Sequence, residues 1–516
     1  MPKAKTPSFI LELRISFSDS LLRNRKPKAG KCPPPCFFDR RFKVANKIYN
    51  TALNNSLSRM RRLIHDKEYI YACEGYKRAV SEDDTKAQNF YGEVIARTRD
   101  KYGYSEYSLH KYIIGCKHHF DGLFGIDECQ KLATRAYKAV EKMRSGYAGK
   151  VRFHKADDNI AIEGKSKKSA LKYAGDLCIQ FGRGNIFPLK VKKNDHYAYE
   201  ALKNRVKYVR VVRKVIRGKY EYFAQLVMEG VPPQKHPYGE DKPVGLDEGV
   251  STIAVSSRDE VRLYELAPEC SIDEKEMRRI NRAIDRSVRS TNPDNYNEDG
   301  TVKKGRLGWN ESKRCHTLKA RRRECYRRLA CRRKIAHEKL ANHIVSLGTD
   351  VRVEPMAIKA LAKKSRKQTK RKRDGKIKSK KRYGRTILSR APAMLVSIIN
   401  RKLSYIDKSV KKIDSFKVKA SQYDHRSDRF RKKPLSERWH YFRKPKEGAK
   451  ADKVQRDLYS AFLICNTNDE LDHVDRVSCK KNYRRFKKLH DDEIDRIKKI
   501  AREMTPEGLA LKWYIS

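Results

Sequence analysis

Apolar and polar positions change rhythm several times along the chain, and each change marks an element. SFILELRISF (8–17) alternates with a period of two and reads as a strand. From 37 to about 149 the period lengthens to three and four, and Phe42, Ala45, Tyr49, Leu53, Leu57, Met60 and Ile64 fall on one helical face. Between about 150 and 240 the alternation returns, where YVRVVRKVI (208–216), a short RGK turn and YEYFAQLVM (220–228) form a hairpin pattern. This predicts one barrel built from the first strand and the later β-rich block, with the helices inserted between them.

Further along, strands are expected around 244–257 and at VRLYEL (261–266). Helices follow from about 271 to 347, broken by the polar loop NPDNYNEDGTVKKG (292–305). Leu318, Cys325, Leu329, Ala336, Leu340 and Leu347 make a narrow apolar stripe along the second of them. VRVEPM (351–356) reads as another strand, then a helix at about 391–405 and a strand near 411–420. An irregular basic stretch (422–450) leads to the amphipathic helix KVQRDLYSAFLI (453–464).

At 516 residues the chain is too long for one core. Its 121 Lys and Arg against 63 Asp and Glu give a net charge of +58. Such an excess opposes compaction and points to a polyanionic partner, which for a soluble chain means nucleic acid. The sequence holds no apolar run of about 18 residues and no signal-peptide pattern, so the expectation is a soluble cytoplasmic protein, nucleoid-associated when on its target. Nine of the 18 residues from Thr317 to Lys334 are cationic and only Glu324 opposes them, so Arg321, Arg322, Arg328 and Arg332 are expected to lie along phosphates. The tract 363–382 is denser still, with 13 cations in 20 residues, and Lys370, Arg371 and Arg373 are expected to touch nucleic acid.

Twelve scattered cysteines suggest reduced thiols. Cys32 and Cys36 flank three prolines, whose extended geometry would hold the sulfurs too far apart for one metal. Cys116, His118, His119 and Cys129 are the one plausible ligand cluster, and their spacing fits no common zinc ribbon. Zinc is therefore not expected.

Three acids share an unusual placement. Asp247 ends a strand, Glu354 ends a strand, and Asp457 opens an otherwise apolar helical segment. They lie 107 and 103 residues apart, so only a fold can unite them. Carboxylates at the ends of adjacent strands, faced by one on a helix, suit two Mg²⁺ or Mn²⁺ ions about 4 Å apart. Taken singly, each acid has a structural alternative: a turn cap before Gly249, an ion pair with a nearby Arg, or a helix N-cap.

VGLDEGVSTIAVSS (244–257), VRVEPMAIKAL (351–361) and VQRDLYSAFLI (454–464) resemble the first, second and third RuvC motifs in that order. With the intervening basic helices and KASQYDHRSDRFRKKPLSERW (419–439), residues 243–468 resemble the TnpB nucleases of insertion sequences and their relatives, the compact type V CRISPR effectors. The resemblance implies a multidomain α/β protein with a ribonuclease-H-like (RuvC) nuclease domain. It further implies a β-barrel wedge domain split by an inserted helical recognition lobe. The implied boundaries are wedge 1–36 and 150–240, helical lobe 37–149, nuclease domain 241–415 with a helical insertion at 271–347, a target-nucleic-acid segment at 416–450, and the third motif with the C-terminal tail at 451–516.

Carried over, Asp247, Glu354 and Asp457 are the catalytic, Mg²⁺-binding acids of an RNA-guided endonuclease acting on double-stranded DNA. Glu248 has no family role. Two departures stand out. No cysteine lies between Cys331 and Cys465, so the four-cysteine zinc ribbon of the family is missing, and Tyr423-Asp424-His425-Arg426 stands at its first pair. The usual Asp-x-Asn-Ala-Ala of the third motif is Asp457-Leu458-Tyr459-Ser460-Ala461. The run Trp439 to Arg443 could stack single-stranded bases or form a small core. The alternatives are a guide-directed DNA binder with weak or no cleavage, a DDE-type transposase or resolvase acting without RNA, and a structural RNA-binding protein.

Overall fold

The structure is a computed structural model that describes residues 7–17, 34–120, 122–362, 383–434, 436–442 and 452–515. It divides into two compact units, Met1–Pro233 and Gln234–Ser516.

The first unit opens with β1 (Ser8–Ile15), then five helices: α1 (Pro34–Ile64), α2 (Lys67–Ser81), α3 (Thr85–Lys101), α4 (Glu106–Gly115) and α5 (Ile126–Arg144). Next come β2 (Ile162–Glu163), β3 (Leu171–Gly175), β4 (Cys178–Phe181) and β5 (Ile186–Lys190). The unit closes with α6 (His196–Leu202), β6 (Val206–Ile216) and β7 (Lys219–Glu229). Phe9, Leu11, Leu13 and Ile15 alternate inward along β1, as the period of two requires. β1 pairs antiparallel with β7 on one side and β5 on the other, within the sheet order β2-β6-β7-β1-β5-β4-β3. The first strand thus sits mid-sheet among strands that follow the helices, as the alternation predicts.

The helices α1 to α5 pack on the same core, α1 through Phe38, Phe42, Ile48 and Leu53, α5 through Leu132, Ala136 and Val140. The α1 stripe ends at Leu63 rather than Ile64, which is 37% exposed. Cys36 is disulfide-bonded, against the expectation of reduced thiols throughout. α1 starts at Pro34, so this stretch is helical and not extended, in keeping with the tolerance for proline in a first turn. Cys32 lies outside the described residues.

The second unit contains β8 (Pro243–Glu248), β9 (Thr252–Ser256), β10 (Val261–Glu265), α7 (Cys270–Thr291), α8 (Lys313–Leu347) and β11 (Asp350–Val353). Then follow α9 (Ile358–Ala362), α10 (Gly384–Arg390), α11 (Pro392–Leu403), β12 (Lys411–Lys412) and α12 (Ser415–Val418). Four short strands, β13 (Tyr423–Asp424), β14 (Arg429–Phe430), β15 (Trp439–Tyr441) and β16 (Lys453–Gln455), lead to α13 (Arg456–Cys465), α14 (Arg476–Arg502) and α15 (Pro506–Ile515).

The sheet order is β10-β9-β8-β11-β12, antiparallel from β10 to β8 and parallel from β8 through β11 to β12. Val244, Leu246, Ile253, Val255, Val351 and Val353 bury one face against α8 and α11. Ala254 and Leu263 belong instead to the core built by α13 and α14. The strand expected over 411–420 stops after Lys412. Asp414 accepts from the Phe416 and Lys417 N–H groups and turns the chain into α12. Among the described residues no helix is long and apolar enough to cross a membrane.

Candidate active site

The β8–β11 register sets the first pair of acids. Val353 lies opposite Leu246, so one more residue along the parallel pair brings Glu354 beside Asp247. Leu246 and Val353 point to the α8–α11 core. Pleating therefore turns Asp247 and Glu354 to the other face and returns Glu248 to the first.

Gly245 brings the third acid to that face. A Cβ there would lie 2.9 Å from the Cα of Cys465 and closer still to Ala461 O, so only glycine lets α13 cross β8 at this point. Cys465 Sγ donates to Pro243 O at 3.3 Å, which fixes the helix antiparallel to the strand. From Gly245 to Asp247 the strand advances about 6.6 Å, and from Ala461 back to Asp457 the helix covers about 6 Å. The two rulers match and carry Asp457 toward Asp247.

Electrostatics agree. Burial, then the charges of Asp457 and Glu354, push the Asp247 carboxyl well above the usual carboxylate range, while Arg456 opposes them. Burial also raises Glu354, partly offset by the nearby Ser415 hydroxyl, which does not complete a hydrogen bond of normal geometry. Among the described residues neither Asp247 nor Glu354 has an ion-pair partner, so the alternative of an Arg pair for Glu354 is not met.

Asp457 is held by its neighbours. Gln455 Oε1 caps α13 by accepting from Leu458 N at 2.7 Å, and its Nε2 donates to Asp457 Oδ2 at 3.2 Å. Gln455, and not Asp457, is thus the N-cap. Arg456 Nε forms an ion pair with Asp457 Oδ1 at 3.5 Å. Behind Gln455, its own N–H donates to His490 Nε2 at 2.8 Å, and His490 Nδ1 reaches Asp491 Oδ1 at 2.9 Å. Burial pushes His490 down to about 4, which keeps it neutral and able to accept. Nothing in the sequence flags Gln455 beyond its place two residues before an acid.

The donor set is three hard oxygen carboxylates around one concentration of negative charge, which suits a divalent cation. Among the described residues no three His, Cys, Asp or Glu side chains converge as a ready-made cage, so binding ions there would draw the carboxylates together. The same holds for Cys116, His118, His119 and Cys129, of which Cys129 is fully buried.

Residues 423–426 and 457–461, the two segments that depart from the RuvC-type pattern the sequence resembles, meet in space. Tyr459 OH lies 2.6 Å from His425 Nδ1 and 3.1 Å from His425 N, so the altered third motif bonds the segment standing where a cysteine pair is missing. His425, His440, Phe442, Phe462 and Tyr483 pack around them, and Arg426 sits 4.1 Å over the Phe442 ring. His440 and Phe442 therefore belong to a small core rather than to an exposed stacking run. Burial pushes His425 down to about 4.

The basic helix is less free than its composition suggests. Arg321 Nε donates to Glu276 Oε1 of α7 at 3.1 Å, and Arg328 also pairs with Glu276. Arg322 reaches Asn281 Oδ1 at 3.3 Å, and Arg327 pairs with Glu324 at 2.6 Å. The sequence count missed Glu276 because it lies on the preceding helix. Arg332 too has a partner. Lys370, Arg371 and Arg373 lie outside the described residues.

No protein-family model matches the chain, and no curated protein matches it. Two of the solved structures similar to it are Cas12f complexes. One is a Cas12f1–sgRNA–target DNA complex, 13% identical, covering 91% of this chain and 100% of that one with a TM-score of 0.48. The other is a CRISPR-Cas12f ternary complex, 13% identical, covering 88% of this chain and 85% of that one with a TM-score of 0.26.

Proposed function

We propose that this protein is an RNA-guided DNA endonuclease of the compact type V and TnpB kind, cutting at a RuvC-type centre formed by Asp247, Glu354 and Asp457. The observation that carries this reading is the crossing of α13 over Gly245, which puts three unpaired or weakly paired acids from distant motifs on one sheet face. A fold that needed these carboxylates only for stability would give Asp247 and Glu354 cationic partners. The net charge of +58 suits a chain that holds a guide RNA and an RNA–DNA duplex of about 20 base pairs.

Asp247, Glu354 and Asp457 would hold Mg²⁺ or Mn²⁺. Bound there, the ions supply an activated water and offset charge on the leaving 3′ oxygen. The protein's own part is positional. Gln455 holds the Asp457 carboxylate, Ser415 attends Glu354, and the apolar Leu246 and Val353 beneath keep the strand ends rigid. Base pairing would select the target, while the basic surfaces hold backbone phosphates. The protein would be soluble and work in the cytoplasm.

The test is Asp247→Ala, assayed with Mg²⁺ on a duplex matched to the copurified guide. Cleavage is expected to vanish while guide-directed binding stays within about twofold of wild type. Equal cutting by both proteins would remove Asp247 from the centre. Purification without any discrete RNA would favour a transposase or resolvase that acts without a guide.

A further inference from the structure

Among the described residues the three acids approach one another without forming a closed cage, so whatever holds β8 and α13 apart sets how they meet an ion. A residue of α15 stands between the two elements. Tyr514 OH and Ser251 Oγ share a hydrogen bond at 3.0 Å, and Ser251 lies in the turn that follows Asp247 and Glu248 at the end of β8. The Tyr514 carbonyl oxygen accepts from Gln455 Nε2 at 3.4 Å. That same nitrogen donates to Asp457 Oδ2. One tyrosine thus touches the turn beyond the first acid with its hydroxyl and the holder of the third acid with its backbone.

Gln455 is fully buried, and a buried side-chain amide has two N–H groups to satisfy. One goes to Asp457 and the other to Tyr514, while Oε1 accepts from Leu458 N. The Tyr514 carbonyl is available because it lies in the last turn of α15, where carbonyls have no partner further along the helix. Without it one N–H would stand unpaired in the interior, and the amide would gain by turning away from Asp457.

The helix that presents Tyr514 is itself well anchored. Leu511 is fully buried in the core built by α13 and α14. A Cβ on Gly508 would press into the Ile500 carbonyl, so only glycine lets α15 lie this close to α14. Arg496 of α14 reaches Glu507 of α15 at 3.1 Å and also Glu493, which accepts from Leu263 N of β10 at 3.1 Å. The Arg438 guanidinium lies 5.0 Å from the centre of the Tyr514 ring. The ring therefore sits between a cation and the turn. Phenylalanine would fill the same space, so packing alone does not account for the hydroxyl.

We propose that Tyr514 is a positioning residue for the catalytic centre. It ties the turn after β8 to the N-cap of α13 and so sets the spacing of Asp247 and Asp457 for a divalent cation. The inference rests on the part of the proposed function in which these acids hold that ion.

The test is a double-variant cycle on the full-length protein, with Ser251→Ala and Tyr514→Phe, reading Mn²⁺ binding by electron paramagnetic resonance. Ions held by copurified RNA are subtracted with Asp247→Asn, which lacks one ligand. Each single variant is expected to weaken Mn²⁺ binding about fivefold, the scale of one hydrogen bond, and the double variant no further than either alone. Ser251→Thr keeps a hydroxyl and should bind Mn²⁺ within about twofold of wild type. The kcat for cleavage should fall with Mn²⁺ affinity while KM for the duplex is unchanged. Should Tyr514→Phe melt early, Ser251→Ala makes the same comparison from the other end of the bond. Wild-type Mn²⁺ binding in both single variants overturns the role of Tyr514 and leaves the centre standing, even if their melting points fall. Additive losses in the double variant overturn it too, because the two residues would then act separately. Wild-type binding no tighter than that of Asp247→Asn overturns the centre itself.

Discussion

Asp247 and Glu248 are neighbours whose side chains enter different surroundings. Asp247 shares its face with two other acids, whereas burial pushes Glu248 up to about 7 on the opposite face, and its Oε1 has no hydrogen-bond partner. An acid raised in the folded state stabilises the fold below its unfolded value near 4.5, and that contribution is lost as pH rises through about 7. The cost of ionising Glu248 is at most about 3 kcal/mol. Glu248→Gln should therefore melt higher than wild type at pH 8 and equally at pH 4.5, and a gap that stays constant across this range would refute the buried-acid account. Gln455 makes the complementary case. Gln455→Ala removes an N-cap worth about 1 kcal/mol and frees Asp457. We expect the turnover rate for cleavage to fall about tenfold or more with unchanged substrate affinity and a melting point within a few degrees. A loss confined to affinity would remove Gln455 from the positioning role. The sequence singles out Asp247, Glu354 and Asp457 as candidates because a carboxylate ending or opening an apolar run is conspicuous. It misses Gln455 because that residue acts only through two hydrogen bonds formed after α13 folds.

At the scale of elements, α13 and β8 depend on the absence of one methyl group. Gly245→Ala would thrust a Cβ into the backbone of α13, and overpacking of this kind costs about 1–3 kcal/mol or more. The variant should lose the unfolding transition of the second unit at moderate temperature, and near-normal melting would show that α13 can move aside. The segment around His425 makes a second point. Tyr459, His425, His440 and Phe442 close it with rings and a hydrogen bond, with no metal ligand cluster among the described residues. A strong chelator should leave its melting unchanged, while Tyr459→Phe should lower it by about 1 kcal/mol or more. A melting point that drops on chelation would point to a metal after all. Sequence patterns give most helices and both long hairpin strands, since these repeat over many residues. They fail at 411–420, where a single Asp414 side chain outweighs a weak alternation.

For the molecule as a whole, charge is expected to govern the proposed nucleic-acid binding. With +58 the affinity for a nucleic acid should fall by about 10³-fold or more between 50 and 200 mM salt, as expected for some six to ten phosphate contacts. A nearly flat salt response in a filter-binding titration would contradict this. Pairs such as Arg321 and Arg328 with Glu276 lower the number of cations at liberty, so net charge overstates the slope. The full order of the two sheets is not legible in the sequence, because β1 beside β7 and β5, and β8 beside β11, pair residues more than a hundred positions apart. The place of β1 has a further consequence, in time. It lies between β7 and β5, and its pairing with β7 reaches Glu229, more than 200 residues downstream. At about 5–20 residues per second the ribosome needs roughly 10–40 s to deliver that partner. During synthesis α1 to α5 appear first, while Phe9, Leu11, Leu13 and Ile15 wait on an unpaired edge. The cell must shelter that strand from aggregation until β7 has been made.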